Sequence, residues 1–197
     1  IHRGFSTYEK TKYRNIPEWQ IAIDFQSRRP DVPLILDPSH MGGRRDLIFE
    51  LSQTGLDLNY DGLMIESHID PDNAWSDAAQ QVTPEQLGEI ITALKMRETD
   101  VSTQEFHNNL EALRAKIDVI DAQLIENLGR RMGIAVQIGQ LKHDNNVAIL
   151  QSDRWTSILE RMVSAGLKEG LSEEFTQKLF KAIHQESINQ QKSIKET

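Results

Sequence analysis

The sequence predicts an α-rich chain in two parts. A partial β/α segment occupies residues 1–98, and an all-α domain of three helices that dimerises occupies 99–197. Three observations carry this expectation. Pro33-Leu34-Ile35-Leu36 and Gly62-Leu63-Met64-Ile65 are short apolar runs, each leading through a polar loop toward a helical pattern, as buried parallel strands do. From Leu110 the apolar positions Leu113, Ile117, Ile120, Leu124, Leu128, Ala135 and Ile138 follow helical spacing and form one long stripe. Between the two patterns lies a short charged connection, Met96 to Val101.

The elements follow in order. Ile1-His2-Arg3-Gly4 reads as the tail of a strand, and the chain begins without Met, so a truncated or processed fragment is expected. Ile16-Pro17-Glu18-Trp19 opens a helix with proline near its first turn, ending near Ser27 before Pro30. After the first apolar run, residues 37–45 are expected as a loop leading into a helix near 45–55. After the second run, 69–83 is a polar loop with two prolines, and Thr83 caps a helix that starts at Pro84 and ends near Met96. Two strands are too few to close a barrel. In the second part, Ser102 and Glu105 have capping-box spacing, with Val101 and Phe106 as the staple. Helix one is expected over about 103–142 and a turn over 143–148. Helix two covers 152–165, with Gly166 near its end, and helix three runs from the Ser172 cap to about 192.

Composition narrows the function. The chain has 197 residues, 38% hydrophobic and 26% charged, with a net charge of −8 and no cysteine. No disulfide framework is possible. No apolar run reaches membrane-spanning length and no signal-peptide pattern is visible, so the cytoplasm is the expected setting. Residues 1–100 hold 10 Lys/Arg against 17 Asp/Glu, and 101–197 hold 12 against 13. An acidic chain without a basic run argues against a nucleic-acid partner. Its cations therefore act locally.

Two of those cations, Arg131 and Lys142, sit on the apolar stripe of the long helix pattern. A cation there requires an anionic partner. One solution is a buried ion pair with another helix. The other is an anion pocket inside a helical bundle. The two residues lie within ~20° of each other around the helix and ~16 Å apart along it, so long side chains leaning together can hold a small anion. Arg114 lies ~25 Å from Arg131 and is rotated by ~100°. If it binds the same ligand, it reaches the pocket of a second subunit, which predicts a dimer with two equivalent sites. On helix three, Leu179, Ile183, Ser187 and Gln191 step by four along one face. Taken alone, Ser187 and Gln191 equally suit surface drift. With Arg131, Lys142 and Arg154 they form a candidate ligand cage. In the first part, His40, Glu66 and Asp77 occupy loops after strands, where β/α folds place ligand groups. One imidazole and two carboxylates suit a divalent transition ion. They equally suit ordinary loop polarity and helix capping.

Short motifs connect both parts to known families. Leu-Arg-Ala-Lys-Ile (113–117), Ile-Asp (120–121), Arg-Arg-Met-Gly-Ile-Ala-Val (130–136), Ile-Gly-Gln-Leu-Lys (138–142), Asp-Arg (153–154) and Glu-Ser-Ile-Asn-Gln-Gln (186–191) occur in order. On these, residues 103–192 resemble a chorismate mutase of the all-helical class. The resemblance implies that Arg114 comes from the partner subunit and joins Arg131 and Arg154 in binding the two carboxylates of chorismate. Lys142 and Gln191 would face the ether oxygen, and Ser187 would help hold a carboxylate. No cofactor is implied for this part. Where the family has a glutamate that contacts the substrate hydroxyl, this chain has Trp155, whose indole N–H donates and cannot accept. Gln151, one turn earlier, is an alternative acceptor.

His-Arg-Gly (2–4), Leu-Asp-Pro-Ser-His-x-Gly-Gly-Arg-Arg (36–45), Gly-Leu-Met-Ile-Glu-Ser-His (62–68) and Ser-Asp-Ala-Ala-Gln-Gln (76–81) also occur in order. On these, residues 1–98 resemble the C-terminal part of a DAHP synthase, a TIM-barrel enzyme that condenses phosphoenolpyruvate with erythrose 4-phosphate. The resemblance implies a divalent metal of Mn, Fe, Co or Zn type on His40, Glu66 and Asp77, with Arg3 on phosphoenolpyruvate and His68 a neighbour of the site. The family's fourth ligand is a cysteine, which this chain lacks. The barrel segment alone is therefore expected not to make DAHP, and the complete protein is expected to be a bifunctional synthase and mutase of aromatic amino acid biosynthesis. Two further readings of the helical domain remain. One is a regulatory module that binds prephenate or chorismate and controls the barrel. The other is a structural helical dimeriser.

Overall fold

The computed structural model describes residues 1–8, 10–97, 103–150 and 152–192. It divides into two compact units, Ile1–Ser102 and Thr103–Thr197. The linker 98–102 lies outside the described residues, and with it the expected Ser102 cap and the Val101 half of the staple. Among the described residues, no helix is long and apolar enough to cross a membrane.

The first unit is built around a short parallel pair. Strand β1 is Ile35–Leu36 and strand β2 is Gly62–Leu63, with Ile35 opposite Gly62 and Leu36 opposite Leu63. Both are shorter than the apolar runs predicted. Pro33 and Pro38 flank β1 and lack the amide hydrogen that a longer ladder needs. The tail at His2 extends the sheet. Its amide donates to the Ile35 carbonyl at 2.7 Å, and its own carbonyl accepts from Asp37 N at 2.8 Å.

Helix α1 spans Trp19–Arg28. Residues expected as a loop form a further helix, α2, over Pro38–Gly42. Asp37 caps it by accepting from His40 N, and Pro38 stands in its first turn. The correction has a local cause. An aspartate before proline both terminates a strand and starts a helix, and in this chain it does both. A 3-10 turn over Arg45–Leu47 leads into helix α3, Ile48–Asp57. Gly55 lets α3 meet β1 closely, since a Cβ there would lie 2.6 Å from Leu36 Cδ2. Leu36, Met41, Ile48 and Leu51 form the fully buried centre. Two 3-10 turns, Pro71–Asn73 and Ala78–Gln80, organise the polar loop. Helix α4, Pro84–Ala93, starts from a complete capping box between Thr83 and Gln86.

The second unit has three helices: α5 (Gln104–Asp144), α6 (Ser152–Lys168) and α7 (Glu173–Lys192). Helix α5 is ~60 Å long, and its described buried residues, Ala135 and Gly139, both lie in its second half. The apolar stripe of its first half is not covered by its own chain. Leu113, Ile117, Ile120 and Leu124 are each more than half exposed. Gly166 does not end α6, as the sequence suggested. It is buried where α7 crosses, with Thr176 Oγ1 2.5 Å from where a Cβ would stand. The helix runs on to Lys168, and Gly170 takes the left-handed φ of 80° that follows it. Ser172 caps α7 through a 3.2 Å bond from Phe175 N.

Candidate functional site

Helix packing in the second unit brings residues from all three helices around one cavity of about 250 Å³. Its polar wall holds Arg131 and Lys142 from α5, Arg154 and Trp155 from α6, and His184, Ser187 and Gln191 from α7. Isoleucines 134, 138, 149 and 158 and Ala135 make the apolar wall. Among the described residues, three cations and no carboxylate line it, in a protein of net charge −8. This local excess suits a small anion.

The helices set these positions by spacing. Arg131 and Lys142 lie three turns apart on α5, and Ser187 and Gln191 one turn apart on α7. The Arg131 guanidinium donates to Ser187 Oγ, and that hydroxyl donates to the Ile183 carbonyl at 2.8 Å. Burial lowers the Arg131 pKa from its ordinary value, the signature of a cation held partly away from water. Lys142 Nζ donates to the Ile149 carbonyl at 2.6 Å, tying the segment after α5 back onto the helix. The Gln191 amide oxygen is buried without a partner among the described residues, which suits a group awaiting a ligand. Trp155 stacks on His184, with ring centroids 3.9 Å apart and 15° between planes. Burial, and then the charge of Arg131, lower the His184 pKa.

Of the helical residues singled out from sequence, Arg131, Lys142, Arg154, Trp155, Ser187 and Gln191 converge here. Arg114 does not. It is exposed on α5 and paired with Glu111 at 2.8 Å. Gln151 lies outside the described residues. His184 was not anticipated. Its position three residues before Ser187 on one helix face was the available signal.

In the first unit, His40, Glu66 and Asp77 bring their ligand atoms within 4.8 Å of one another. His40 sits on α2, Glu66 follows β2, and Asp77 lies in the loop beyond with φ 50°. The buried Asp37 carboxylate takes His40 Nδ1 at 2.7 Å and leaves Nε2 facing Glu66 Oε1 at 3.4 Å. This arrangement, a carboxylate behind an imidazole, is the common support of a metal-binding histidine. Arg14 and Gln80, not anticipated, complete the frame. Arg14 Nη1 donates to Asp77 Oδ1 and to Gln80 Oε1, each at 2.8 Å. Gln80 Nε2 donates to Glu66 Oε2 at 2.8 Å. The hydrogen bond from Arg14 lowers the Asp77 pKa, with smaller contributions from the charges of Arg14, His40 and Arg3. Arg3 is thus near the cluster. His68 accepts from Asp70 N and is not one of the three clustered ligands. Two oxygens and one imidazole nitrogen at this spacing fit a divalent transition ion.

Comparison with known proteins gives both units a family. Residues 1–104 match the DAHP synthetase I family and residues 113–192 match chorismate mutase type II. The chain belongs to the DAHP synthetase I family and carries a type II chorismate mutase domain fused to that segment, a pairing that fits aromatic amino acid biosynthesis. Both are families of enzymes. Phospho-2-dehydro-3-deoxyheptonate aldolase of Thermotoga maritima is 34% identical over 93 residues, covering 47% of this chain and 27% of that protein. The crystal structure of that aldolase matches with a TM-score of 0.43 at 34% identity, over 46% of this chain and 26% of the other. The bifunctional chorismate mutase/prephenate dehydratase of Buchnera aphidicola is 32% identical over 88 residues, covering 45% of this chain and 23% of that protein. The chain therefore spans about a quarter of the length of each curated relative.

Proposed function

We propose that residues 103–192 rearrange chorismate to prephenate as a homodimer. The supporting observation is the convergence of Arg131, Lys142, Arg154, Ser187 and Gln191 on one cavity. Arg131 and Arg154 bind the substrate carboxylates, and Ser187 steadies Arg131 and a carboxylate. Lys142 and the Gln191 amide face the ether oxygen whose C–O bond breaks. The reaction needs no nucleophile. The substrate rearranges within itself once held in a compact conformer, so positioning is a major contribution. Negative charge grows on the ether oxygen, and a fixed ammonium there favours the transition state over the ground state.

Arg114 reaches the cavity of the second copy. The half-exposed stripe of Leu113, Ile117, Ile120 and Leu124 is the apolar face that copy covers. The decisive experiment follows the loss of chorismate absorbance over a dilution series of the 197-residue chain. Turnover per subunit that falls as the dimer dissociates supports the reading. A folded dimer without turnover refutes it. That outcome moves the domain to the second reading, a module that binds prephenate or chorismate and controls the barrel. Trp155, in place of an acceptor, favours that alternative.

For the first unit we propose a divalent ion on His40, Glu66 and Asp77, with Arg3 on phosphoenolpyruvate. The segment is part of a barrel that in a longer protein condenses phosphoenolpyruvate with erythrose 4-phosphate in the cytoplasm. His40, Glu66 and Asp77 would hold the ion, which would supply Lewis-acid chemistry when bound. The chain's own groups hold the ligands: Asp37 fixes the imidazole, and Arg14 and Gln80 fix the two carboxylates.

A further inference from the structure

The cavity has many donors and few acceptors. Arg131, Lys142, Arg154 and the Trp155 indole only donate. The Ser187 hydroxyl is engaged on both sides, by Arg131 and by the Ile183 carbonyl. The Gln191 amide N–H is assigned to the ether oxygen in the reading above, which leaves its carbonyl oxygen as one acceptor. A ring hydroxyl on the bound dianion therefore has few acceptors on this wall. His184 is the other. Its imidazole lies flat on the Trp155 indole at 3.9 Å, and among the described residues no hydrogen bond engages either ring nitrogen. A neutral imidazole offers one donor and one acceptor. The charged groups facing it are Arg131 and Lys142 from α5 and Arg154 from α6, with Lys181 one turn earlier on α7 itself. All are cations. Burial, and then the charge of Arg131, oppose protonation, so the ring is held below its ordinary 6.5 and keeps a free lone pair near neutral pH.

We propose that His184, clamped by Trp155, is the substrate-positioning residue that accepts a hydrogen bond from the ring hydroxyl of the bound dianion. The proposal rests on the mutase reading and deepens it. The stacked pair takes over a contact for which the tryptophan at 155 has no acceptor. Trp155 restricts the imidazole by stacking, and Arg131 keeps it unprotonated.

The test uses the full 197-residue chain, chorismate, and an analogue lacking the ring hydroxyl. His184→Phe keeps a flat ring against Trp155 and removes the acceptor, while His184→Gln restores one. The expected result is a loss in kcat/KM for chorismate on the order of 10-fold in His184→Phe. His184→Gln regains most of it, and the analogue reacts equally with all three proteins. In the wild-type chain, the preference for chorismate over the analogue falls as pH drops below 6.5 and the lone pair is lost. This readout needs no variant and serves where His184→Phe does not fold. An equal loss on both substrates, or a wild-type preference that is flat with pH, overturns the proposal and hands the hydroxyl to the Gln191 oxygen, with the mutase reading intact. If chorismate is bound but not converted, the same comparison is read in dissociation constants. Binding of neither compound sinks the mutase reading and this contact together.

Discussion

Replacing Arg131 by alanine puts the proposed chemistry at greatest risk. Its guanidinium lines the cavity, is partly buried, and is held by Ser187. A guanidinium clasping a carboxylate supplies two parallel hydrogen bonds. Each bond to a charged group contributes about 1.5–3 kcal/mol. Removing both costs roughly 3–6 kcal/mol of transition-state binding, a fall in kcat/KM on the order of 10²–10⁴-fold. The fold should survive, because the lost bond to Ser187 costs about 1.5–3 kcal/mol at most and is partly offset as the partly desolvated charge goes with it. The assay is the initial rate of chorismate loss, with calorimetric titration of prephenate alongside and circular dichroism as the check on folding. Arg131→Lys keeps the charge and loses the fork, so it should recover only part of the activity. A regulatory module would instead show weakened prephenate binding without turnover to lose. A folded Arg131→Ala protein with kcat/KM within a few-fold of wild type refutes the assignment, because the guanidinium assigned to clasp a carboxylate would then be dispensable.

Subunit sharing makes a second prediction. Arg114→Ala and Arg131→Ala chains are each inactive alone, but mixing them equally restores about a quarter of wild-type turnover, since half the dimers are mixed and each rebuilds one of two sites. Recovery of none, with exchange shown by native mass spectrometry, would mean Arg114 does not cross between subunits. In the first unit, Asp37→Asn should weaken Mn²⁺ binding by roughly 10–100-fold through loss of the carboxylate behind His40. Calorimetric titration measures this, and unchanged affinity would remove His40 from the ligand set. His2 is buried, and burial lowers its pKa below 6.5. The unfolded chain therefore binds the proton more readily than the folded one. Stability is full above pH 6.5 and falls as pH drops below it toward the folded-state pKa. Thermal denaturation of the full chain should show this acid loss, and His2→Phe should flatten it. An unchanged slope would show that the loss comes from other groups.

Much of the fold is legible where a local rule suffices. Periodicity located α5 because one helical face has to be apolar. Thr83 and Ser172 announced their helices because hydroxyl caps act within a single turn. Local rules failed where a distant neighbour decides. Residues 38–42 looked like loop, yet the Asp37 carboxylate serves both the helix start and the His40 ring. Gly166 looked like a stop, yet it is a contact point that admits Thr176 of the next helix. Arg14 and Gln80 gave no signal, since they join the His40–Glu66–Asp77 cluster from 63 and 14 residues away through hydrogen bonds to Asp77 and Glu66.

The sequence by itself determined the helical periods, the caps, the cations misplaced on an apolar stripe and the motifs that carry both family resemblances. These properties are encoded by residue type at short spacing along one chain. The tertiary structure alone decided that Arg131, Lys142, Arg154, Ser187 and Gln191 share a cavity while Arg114 stays outside it. It also decided that Trp155 meets His184 face to face. Those outcomes depend on how α7 packs against both α5 and α6, with Gly166 admitting Thr176 at the α6–α7 contact. Close approach of backbones has no period, so a one-dimensional pattern cannot announce it.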